Sequence, residues 1–246
     1  MQENKIPKII HYVWFGHNPK GELIEKCMAS WKYHMQGYKI IEWNEDNFDI
    51  SSHPYTKNAY ANKKWAFVSD YVRLYALRKY GGVYLDTDMY IVKNFEEILT
   101  ADCVFSKEDK NFVNAAFFAS TSDAKYLNDL ILRYDTLEKI ETIPRIMTRV
   151  LSENKYNSNE VKVLEKVSFY PFDADNIKDF KINKNYTDNI ITTNAPVKSY
   201  GVHMWNYSWG HPMVKFVKKL GLHKLIIKIL DKLKIKNILK KILKSA

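Results

Sequence analysis

The chain has 246 residues, 46% of them hydrophobic, and only two cysteines, so it favours one large α/β domain and excludes a disulfide-stapled scaffold. The formal net charge of +10 lies in the tail: residues 212–246 carry 11 lysines and one acidic residue, whereas residues 1–211 carry 27 basic and 27 acidic side chains. A neutral body argues against a nucleic-acid-binding enzyme, whose charge would line a groove of the folded domain.

Strand-like and helical hydrophobic patterns alternate along the body of the chain. The predicted elements of the first half are a strand, a helix, a short strand, a long helix and a strand, at 6–16, 21–35, 38–44, 59–80 and 83–92. In the second half, two strands are predicted at 101–106 and 114–120, and two helices at 122–134 and 144–153. Three late strands follow, at 161–165, at 167–172 and from 196. Ser122 is the predicted cap of the first of these two helices. The alternation predicts an α/β fold with a largely parallel sheet, in which ligands bind at the carboxyl ends of the strands.

The stretch YGGVYLDTDMYIV at 80–92 places Asp86 and Asp88 in an otherwise apolar strand. Because side chains alternate along a strand, the two aspartates are predicted to share one polar face with Tyr84 and Tyr90. Paired carboxylates at a strand end suit Mn²⁺ or Mg²⁺. The motif by itself also fits solvated edge residues, or carboxylates paired with lysine or arginine.

The helix before this strand carries Asp70 and Arg73, which are three residues apart and therefore share a face. Gly81 and Gly82 stop the helix and lead into the strand, so the two motifs are expected to lie together. Arg73 would then meet a phosphate or hydroxyl, and Asp70 a sugar hydroxyl. The alternative is an ion pair on a solvated helix face. His11 alternates with apolar neighbours in the first strand and is expected to be a hydrogen-bonded structural residue.

Three ordered motifs are recognisable: IPKIIHYVWFG at 6–16, A-x-x-SD-x-x-R-x-x-x-L-x-x-x-GG-x-YLDTD at 66–88, and HMWNYSW at 203–209. Together they resemble the sugar-binding region of DXD-containing glycosyltransferases. This family includes yeast-type initiating α-mannosyltransferases, bacterial capsule and lipopolysaccharide glycosyltransferases and, more distantly, the large clostridial glucosylating toxins. The resemblance is good up to residue 100, returns at 168–172 and 199–212, and is loose between. It implies an α/β GT-A fold, with a Rossmann-like, mostly parallel central sheet flanked by helices.

The resemblance also implies roles for individual side chains at the metal and the sugar. Asp88 would bind the metal directly, and His203 would be a third metal ligand. Asp86 would contact the donor sugar or ribose, or the metal through water. Asp70 and Arg73 would contact the donor sugar and its diphosphate.

The remaining implied contacts surround the nucleotide. Trp14 would stack on the base, and Tyr84 would support the nucleotide. Ser208 and Trp209 would close over the diphosphate. Two asparagines complete the predicted site, one in the donor pocket and one near the reacting centre: Asn44 and Asn114.

The implied activity is a metal-dependent, retaining transfer of galactose or glucose from a nucleotide sugar, expected to be UDP-linked. The expected cofactor is Mn²⁺ or Mg²⁺. The expected acceptor is a hydroxyl of a lipid-linked oligosaccharide in capsule or lipopolysaccharide synthesis, and no nucleic acid is expected as a partner. Two alternatives remain open: a membrane-associated sugar-binding module without activity, and an aspartate-based phosphotransferase. The latter class usually has Thr or Val four residues after its first aspartate, where this chain has Tyr90.

The basic tail is predicted to be separate from the catalytic domain, which is assigned to 1–211. Within 212–246, apolar residues recur at helical spacing over 222–233 and again over 235–243. The two stripes do not align on one helix, so two short basic amphipathic helices are expected. Such helices suit an anionic membrane surface, and a terminal helix packed on the body is the alternative. Without a signal peptide or a membrane span in this sequence, the expected location is cytoplasmic, peripheral on the inner face of the plasma membrane.

Overall fold

The computed structural model describes residues 5–137, 139–185 and 190–206. In chain order, the first elements are β1 (Ile9–Val13), α1 (Glu22–His34), β2 (Lys39–Trp43), α2 (Pro54–Ala61), α3 (Trp65–Tyr80), β3 (Gly82–Leu85) and β4 (Met89–Ile91). They are followed by β5 (Cys103–Lys107), β6 (Val113–Ser120), α4 (Lys125–Asp135), α5 (Ile143–Glu153), β7 (Val161–Leu164), β8 (Ile182–Asn185), β9 (Ile190–Thr193) and β10 (Gly201–His203).

A central sheet organises this body in the strand order β2-β1-β3-β6-β5-β7. β1 pairs in parallel with both β2 and β3, and β5 pairs in parallel with β7. β6 is antiparallel to both of its neighbours, β3 and β5. Five of the six strands therefore point the same way, which confirms the predicted α/β class and its Rossmann-like, mostly parallel central sheet. Two antiparallel pairs, β4 with β10 and β8 with β9, stand apart from this sheet.

The main hydrophobic core lies between the sheet and helices α3, α4 and α5. Phe105 of β5 is fully buried, and Tyr126 of α4 stacks on it with ring centroids 4.9 Å apart. Ile146 and Met147 of α5 are fully buried in the same core. Burying each such aliphatic or aromatic side chain contributes roughly 1.5–3 kcal/mol, so this packing fixes the helices on the sheet.

Side chains of helix α1 hydrogen-bond to the backbone of the short strand β4, along the edge that does not pair with another described strand. The indole Nε1 of Trp31 donates a hydrogen bond to the carbonyl of Met89 (2.6 Å), and the N–H of Ile91 donates to the hydroxyl of Ser30 (2.9 Å). On its other edge β4 pairs with β10, so the backbone groups of this three-residue strand are satisfied on both sides. These bonds fix the segment that directly follows the two aspartates.

Two glycines make the tight passage from α3 into β3. Gly81 has φ +62° and Gly82 has φ +108°, both in the left-handed region that favours glycine. A Cβ atom at Gly82 would lie 2.6 Å from the carbonyl oxygen of Ile9. The buried ring of His11 receives the Trp43 indole N–H at Nδ1 (3.2 Å) and places Nε2 2.8 Å from the carbonyl of Gly81. This confirms the expectation that His11 is a hydrogen-bonded structural histidine.

Two helix predictions are corrected by the structure. The single helix predicted at 59–80 is two helices, α2 and α3, separated at 62–64, where Lys63 has φ +54°. Ser122 does not cap α4, because that helix begins at Lys125 and its N-cap position is Ala124. At 62–64 the apolar pattern continues across a break in the backbone, so periodicity alone extended the predicted helix past it. At α4 the predicted cap lies two residues before the actual N-cap position.

Two strand predictions in the second half also need correction. The segment 167–172 is not a strand: a 3₁₀ turn covers Lys166–Ser168, and Phe169 and Tyr170 then enter the core as fully buried rings. The hairpin of β8 and β9 was not predicted, because each of its strands has only four residues. No helix within the described residues is long and apolar enough to cross a membrane. The predicted amphipathic tail, 212–246, lies outside the described residues.

Candidate active site

The DxD motif forms a turn between two strands of different sheets. β3 ends at Leu85 and β4 begins at Met89, whose N–H donates to the carbonyl of Asp86 (2.9 Å). The N–H of Asp86 in turn donates to the carbonyl of Ala116 in β6 (2.9 Å). The predicted continuous strand at 83–92, with its alternating polar face, is therefore wrong. A turn suits carboxylates better than a buried strand does, because it leaves the side chains of Asp86 and Asp88 28% and 15% exposed.

Strand β10 brings His203 to this turn. The antiparallel pairing of β10 with β4 sets His203 opposite Met89, and the N–H of Met204 donates to the carbonyl of Asp88 (2.9 Å). The Nε2 atom of His203 then lies 3.3 Å from Oδ1 of Asp88 and 4.0 Å from Oδ2 of Asp86. The three predicted metal ligands are thus brought together, although more than a hundred residues separate the histidine from the aspartates.

The chemistry of these three side chains fits a divalent cation. One oxygen of Asp86, one oxygen of Asp88 and one ring nitrogen of His203 all lie within 4.8 Å of one another. Two carboxylates with one imidazole form a mixed oxygen and nitrogen donor set that accommodates Mn²⁺, and carboxylates with water would also serve Mg²⁺. Burial opposes charge on the His203 ring, but Asp88, Asp86 and Glu108 together raise the pKa of His203 above its usual value. The same negative field attracts a metal cation.

Asp70 and Arg73 form a buried ion pair behind the turn. Nη2 of Arg73 donates to Oδ1 of Asp70 (3.0 Å), and the N–H of Ile143 lies 3.3 Å from Oδ2 of Asp70. Both side chains are more than 90% buried, so the alternative of a solvated surface pair is wrong. Burial raises the pKa of Asp70 to about 7 in spite of the attraction of Arg73. For Arg73, burial acts against the charge, but Asp86 beside it gives the largest of several contributions that raise its pKa.

Tyr84 lies between this ion pair and the DxD turn. The guanidinium carbon of Arg73 lies 4.4 Å from the centroid of the Tyr84 ring. The Tyr84 hydroxyl donates to Oδ1 of Asp86 (2.8 Å) and is 2.9 Å from the hydroxyl of Ser69. Nη1 of Arg73 also reaches Oδ1 of Asp86 at 3.3 Å. The predicted neighbourhood of the SD-x-x-R helix and the DxD segment is therefore real.

Asn114 reaches the site from the start of β6. Its Oδ1 accepts from the N–H of Ala116 (3.0 Å), the residue whose carbonyl holds Asp86. Its Nδ2 donates to Oε2 of Glu108 (2.6 Å). The sequence prediction missed Glu108, which lies in the β5–β6 connection where neither a motif nor a periodic pattern marks it. Burial raises the pKa of Glu108, and the hydrogen bond from Asn114 and the nearby charge of His203 act in the opposite direction.

Trp14 and Asn44 lie at the same edge of the sheet as the DxD turn. They directly follow β1 and β2, and the N–H of Trp14 donates to the carbonyl of Trp43 (2.9 Å). Since β2, β1 and β3 are parallel neighbours, the carboxyl ends of these strands share one edge. Trp14 is partly exposed, and its Nε1 donates to the carbonyl of Asn18. Asn44 donates to Glu42 (3.3 Å).

The structure thus places together nine of the eleven predicted site residues at or behind this edge. The other two, Ser208 and Trp209, lie outside the described residues. Their predicted closure over the diphosphate therefore stays a prediction.

Two sequence-family models match the chain in succession. Residues 21–105 match the glycosyltransferase sugar-binding region containing the DXD motif, and residues 123–228 match the alpha 1,4-glycosyltransferase conserved region. The first match contains α3 and the DxD turn, and the second contains His203. The two matches therefore cover both parts of the proposed metal site.

Curated relatives and solved structures add distant similarities. Lactosylceramide 4-alpha-galactosyltransferase of Mus musculus is 27% identical over 151 residues, covering 56% of this chain and 40% of the mouse protein. The Homo sapiens protein of that name is 25% identical over 154 residues, covering 56% and 41%. The chain thus spans less than half the length of these relatives. PaToxG Glycosyltransferase superposes with a TM-score of 0.46 at 18% identity, covering 60% of this chain and 68% of its own. A glycosyltransferase involved in the glycosylation of the major capsid of PBCV-1 superposes with a TM-score of 0.43 at 11% identity. The superposition covers 66% of this chain and 84% of that protein.

The mostly parallel α/β sheet, with an Asp-x-Asp turn at its carboxyl edge, has the features of a GT-A glycosyltransferase. The two family matches, each over less than half of the chain, make it similar to DXD-containing glycosyltransferases of the sugar-binding-region type.

Proposed function

We propose that this chain is a metal-dependent hexosyltransferase that moves galactose or glucose from a nucleotide sugar, UDP-linked, to a hydroxyl of a lipid-linked glycan, with retention at the anomeric carbon. The observation that carries the proposal is the cluster of Asp86, Asp88 and His203, whose ligand atoms lie within 4.8 Å of one another. Mn²⁺ is the proposed cofactor, with Mg²⁺ as a substitute. The cluster lies where α/β sheets bind their ligands, at the carboxyl ends of the strands.

The site residues divide the work of breaking a sugar–phosphate bond. A divalent cation, when bound, would neutralise the charge that develops on the diphosphate leaving group. Asp88 and His203 would hold it directly, and Asp86 would complete the set. Arg73 supplies a fixed positive charge 3.3 Å from Asp86, which offsets the repulsion between the two aspartates. Asp70 would face the donor sugar, which becomes oxocarbenium-like as its bond to phosphate lengthens.

The donor and the acceptor are proposed from the similarities. The curated relatives are named as enzymes that transfer galactose to lactosylceramide, which favours galactose as the sugar and a glycan carried on a lipid as the acceptor. We assign that acceptor to surface polysaccharide synthesis, in a capsule or lipopolysaccharide. Attachment of residues 212–246 to an anionic membrane, on the inner face of the plasma membrane, would bring the site close to such an acceptor.

A sugar-binding module without activity is the second candidate. It is favoured only by the lysine-rich composition of 212–246, which suits membrane attachment without requiring catalysis. The family matches favour glycosyl transfer over the phosphotransferase alternative. Sugar transfer by the purified chain separates the two candidates.

Thermal unfolding with UDP and Mn²⁺ tests nucleotide and metal binding directly. At a ligand concentration about 100 times Kd, binding to the folded state alone is expected to raise Tm by about 5–10 °C. A screen of nucleotide sugars for Mn²⁺-dependent hydrolysis then identifies the donor. Asp88→Asn is expected to abolish hydrolysis while the protein stays folded, whereas Asp135→Asn, at the end of α4, retains it. A wild-type chain that gains no stability from any nucleoside diphosphate, with or without Mn²⁺, would contradict the proposal.

A further inference from the structure

A chain of hydrogen bonds runs from α3 to the DxD turn. Nη2 of Arg73 donates to Oγ of Ser69 (3.1 Å), and the Ser69 hydroxyl is 2.9 Å from the hydroxyl of Tyr84. The Tyr84 hydroxyl then donates to Oδ1 of Asp86 (2.8 Å). Three consecutive hydrogen bonds thus connect a buried guanidinium to one carboxylate oxygen of the metal cluster.

The two ends of this chain fix the direction of every bond in it. A guanidinium only donates, so Ser69 must accept from Arg73. An ionised carboxylate only accepts, so Tyr84 must donate to Asp86. The one hydrogen left between them is therefore given by Ser69 to Tyr84. A buried series of bonds with a single direction polarises its members and leaves the last acceptor strongly held.

The two oxygens of Asp86 consequently have different surroundings. Oδ1 receives the Tyr84 hydroxyl and lies 3.3 Å from Nη1 of Arg73. Oδ2 faces the other way and lies 4.0 Å from Nε2 of His203. A carboxylate tethered through one oxygen cannot rotate freely, so only Oδ2 is presented to the space between Asp86 and His203.

We propose that Ser69 and Tyr84 are positioning residues, which hold Asp86 so that it offers a single oxygen, Oδ2, to the cation. This inference rests on the metal-dependent function proposed above and adds a role for two hydroxyl groups whose hydrogen bonds connect Arg73 to Asp86. Partners that orient a metal ligand through its second polar atom commonly change metal affinity by about 10–100-fold.

The packing around Tyr84 restricts its hydroxyl to this task. The side chain is 1% exposed, and Arg73 covers its ring. Nε of Arg73 also donates to the carbonyl of Ser69 (3.2 Å), and Nη1 to the carbonyl of Ala115 (3.0 Å). Each nitrogen of the guanidinium is thus engaged by protein acceptors, and Arg73 acts on the site through Asp86 and the two hydroxyls.

Mn²⁺ binding by the full chain, measured by electron paramagnetic resonance with Mn²⁺ alone as the probe, tests this role without any turnover. Tyr84→Phe and Ser69→Ala, which remove only the hydroxyls, are each expected to weaken Mn²⁺ binding about tenfold or more. Ser69→Thr, which restores a hydroxyl, is expected to recover most of the affinity. Tyr126→Phe is the matched control: it removes a buried hydroxyl that donates to the carbonyl of Met147 (2.9 Å), so it is expected to lower Tm and leave Mn²⁺ affinity unchanged.

The outcomes separate the two proposals. Wild-type chain that binds Mn²⁺ while Tyr84→Phe and Ser69→Ala bind it equally tightly would overturn the positioning role and leave the proposed function in place. Equal losses in Tyr84→Phe and the Tyr126→Phe control would show a general effect of destabilisation and would also overturn it. No binding of Mn²⁺ by wild-type chain, even with UDP, would refute the metal-dependent function and with it this inference.

Discussion

His11 makes the stability of this protein depend on pH in a way that can be calculated. The ring is fully buried, accepts from the Trp43 indole at Nδ1 and must therefore donate from Nε2 to the carbonyl of Gly81. Protonation would place a second N–H against the N–H of Trp43. Burial is the main cause that lowers the pKa of His11 to about 4, and the bond to Gly81 opposes it only in part.

The sign follows from proton binding in the two states. Between pH 4 and 6.5 the unfolded chain protonates this histidine and the folded chain does not, so folding becomes less favourable as the pH falls. The stability from neutral His11 is fully present above pH 6.5 and is lost progressively toward pH 4. The full effect is about 3 kcal/mol, and about 2 kcal/mol of it is expected to be lost between pH 7 and pH 5.

Equilibrium unfolding in urea at pH 7 and pH 5 measures this loss. His11→Gln keeps an acceptor for Trp43 and a donor for Gly81 but does not titrate, so wild-type protein is expected to lose about 2 kcal/mol more than this variant between the two pH values. Val83→Ala, a core truncation on the neighbouring strand, is the control: it lowers stability but keeps the wild-type pH dependence. Equal losses in wild-type protein and His11→Gln would refute the assignment of a buried neutral ring.

Two further substitutions test the passage into the DxD segment and the ion pair behind it. Gly82→Ala meets both a positive φ and a Cβ contact of 2.6 Å, and is expected to cost more than about 2 kcal/mol, whereas Gly37→Ala, with φ +83° and open space, is expected to cost about 1 kcal/mol. Urea midpoints that are equal for the two variants would contradict the steric explanation. Arg73→Met leaves two carboxylates without their buried partner and is expected to cost about 3–5 kcal/mol, against less than about 1 kcal/mol for the exposed Arg78→Met on the same helix. If the free energies of unfolding of Arg73→Met and Arg78→Met differ by less than about 1 kcal/mol, the ion pair is less buried than in this structure.

The order of most elements and the α/β fold class could be predicted from the sequence because both depend on local hydrophobic patterns. The edges of β1, α1, β2 and α5 fall within a few residues of the predicted ones, since each element has an apolar period of its own and a clear end. The SD-x-x-R helix, the two glycines and the DxD segment are contiguous in the chain. Their spacing alone indicated that they would lie together.

Local patterns failed where the backbone changes partner without a change of composition. The apolar run around the DxD motif reads as one strand, yet β3 belongs to the central sheet and β4 pairs with β10. The same failure joined α2 to α3 across Lys63. The β3–β4 interruption is decided by pairing with distant segments, which hydrophobic period cannot register. The α2–α3 interruption is local: Lys63 has a positive φ, and its N–H donates to the carbonyl of Tyr60 (2.9 Å).

The sequence by itself therefore gave the resemblance to DXD-containing glycosyltransferases, the candidate ligands and the neutral character of the body. Tertiary structure alone decided that the DxD motif is a turn, that the strand pairing of β10 sets His203 3.3 Å from Asp88, and that Glu108 adjoins Asn114. It also decided which oxygen of Asp86 is tethered, through Ser69 and Tyr84. The physical reason is that hydrogen-bond direction and ligand geometry depend on side chains meeting across elements, whereas the sequence specifies only the faces on which those side chains can lie.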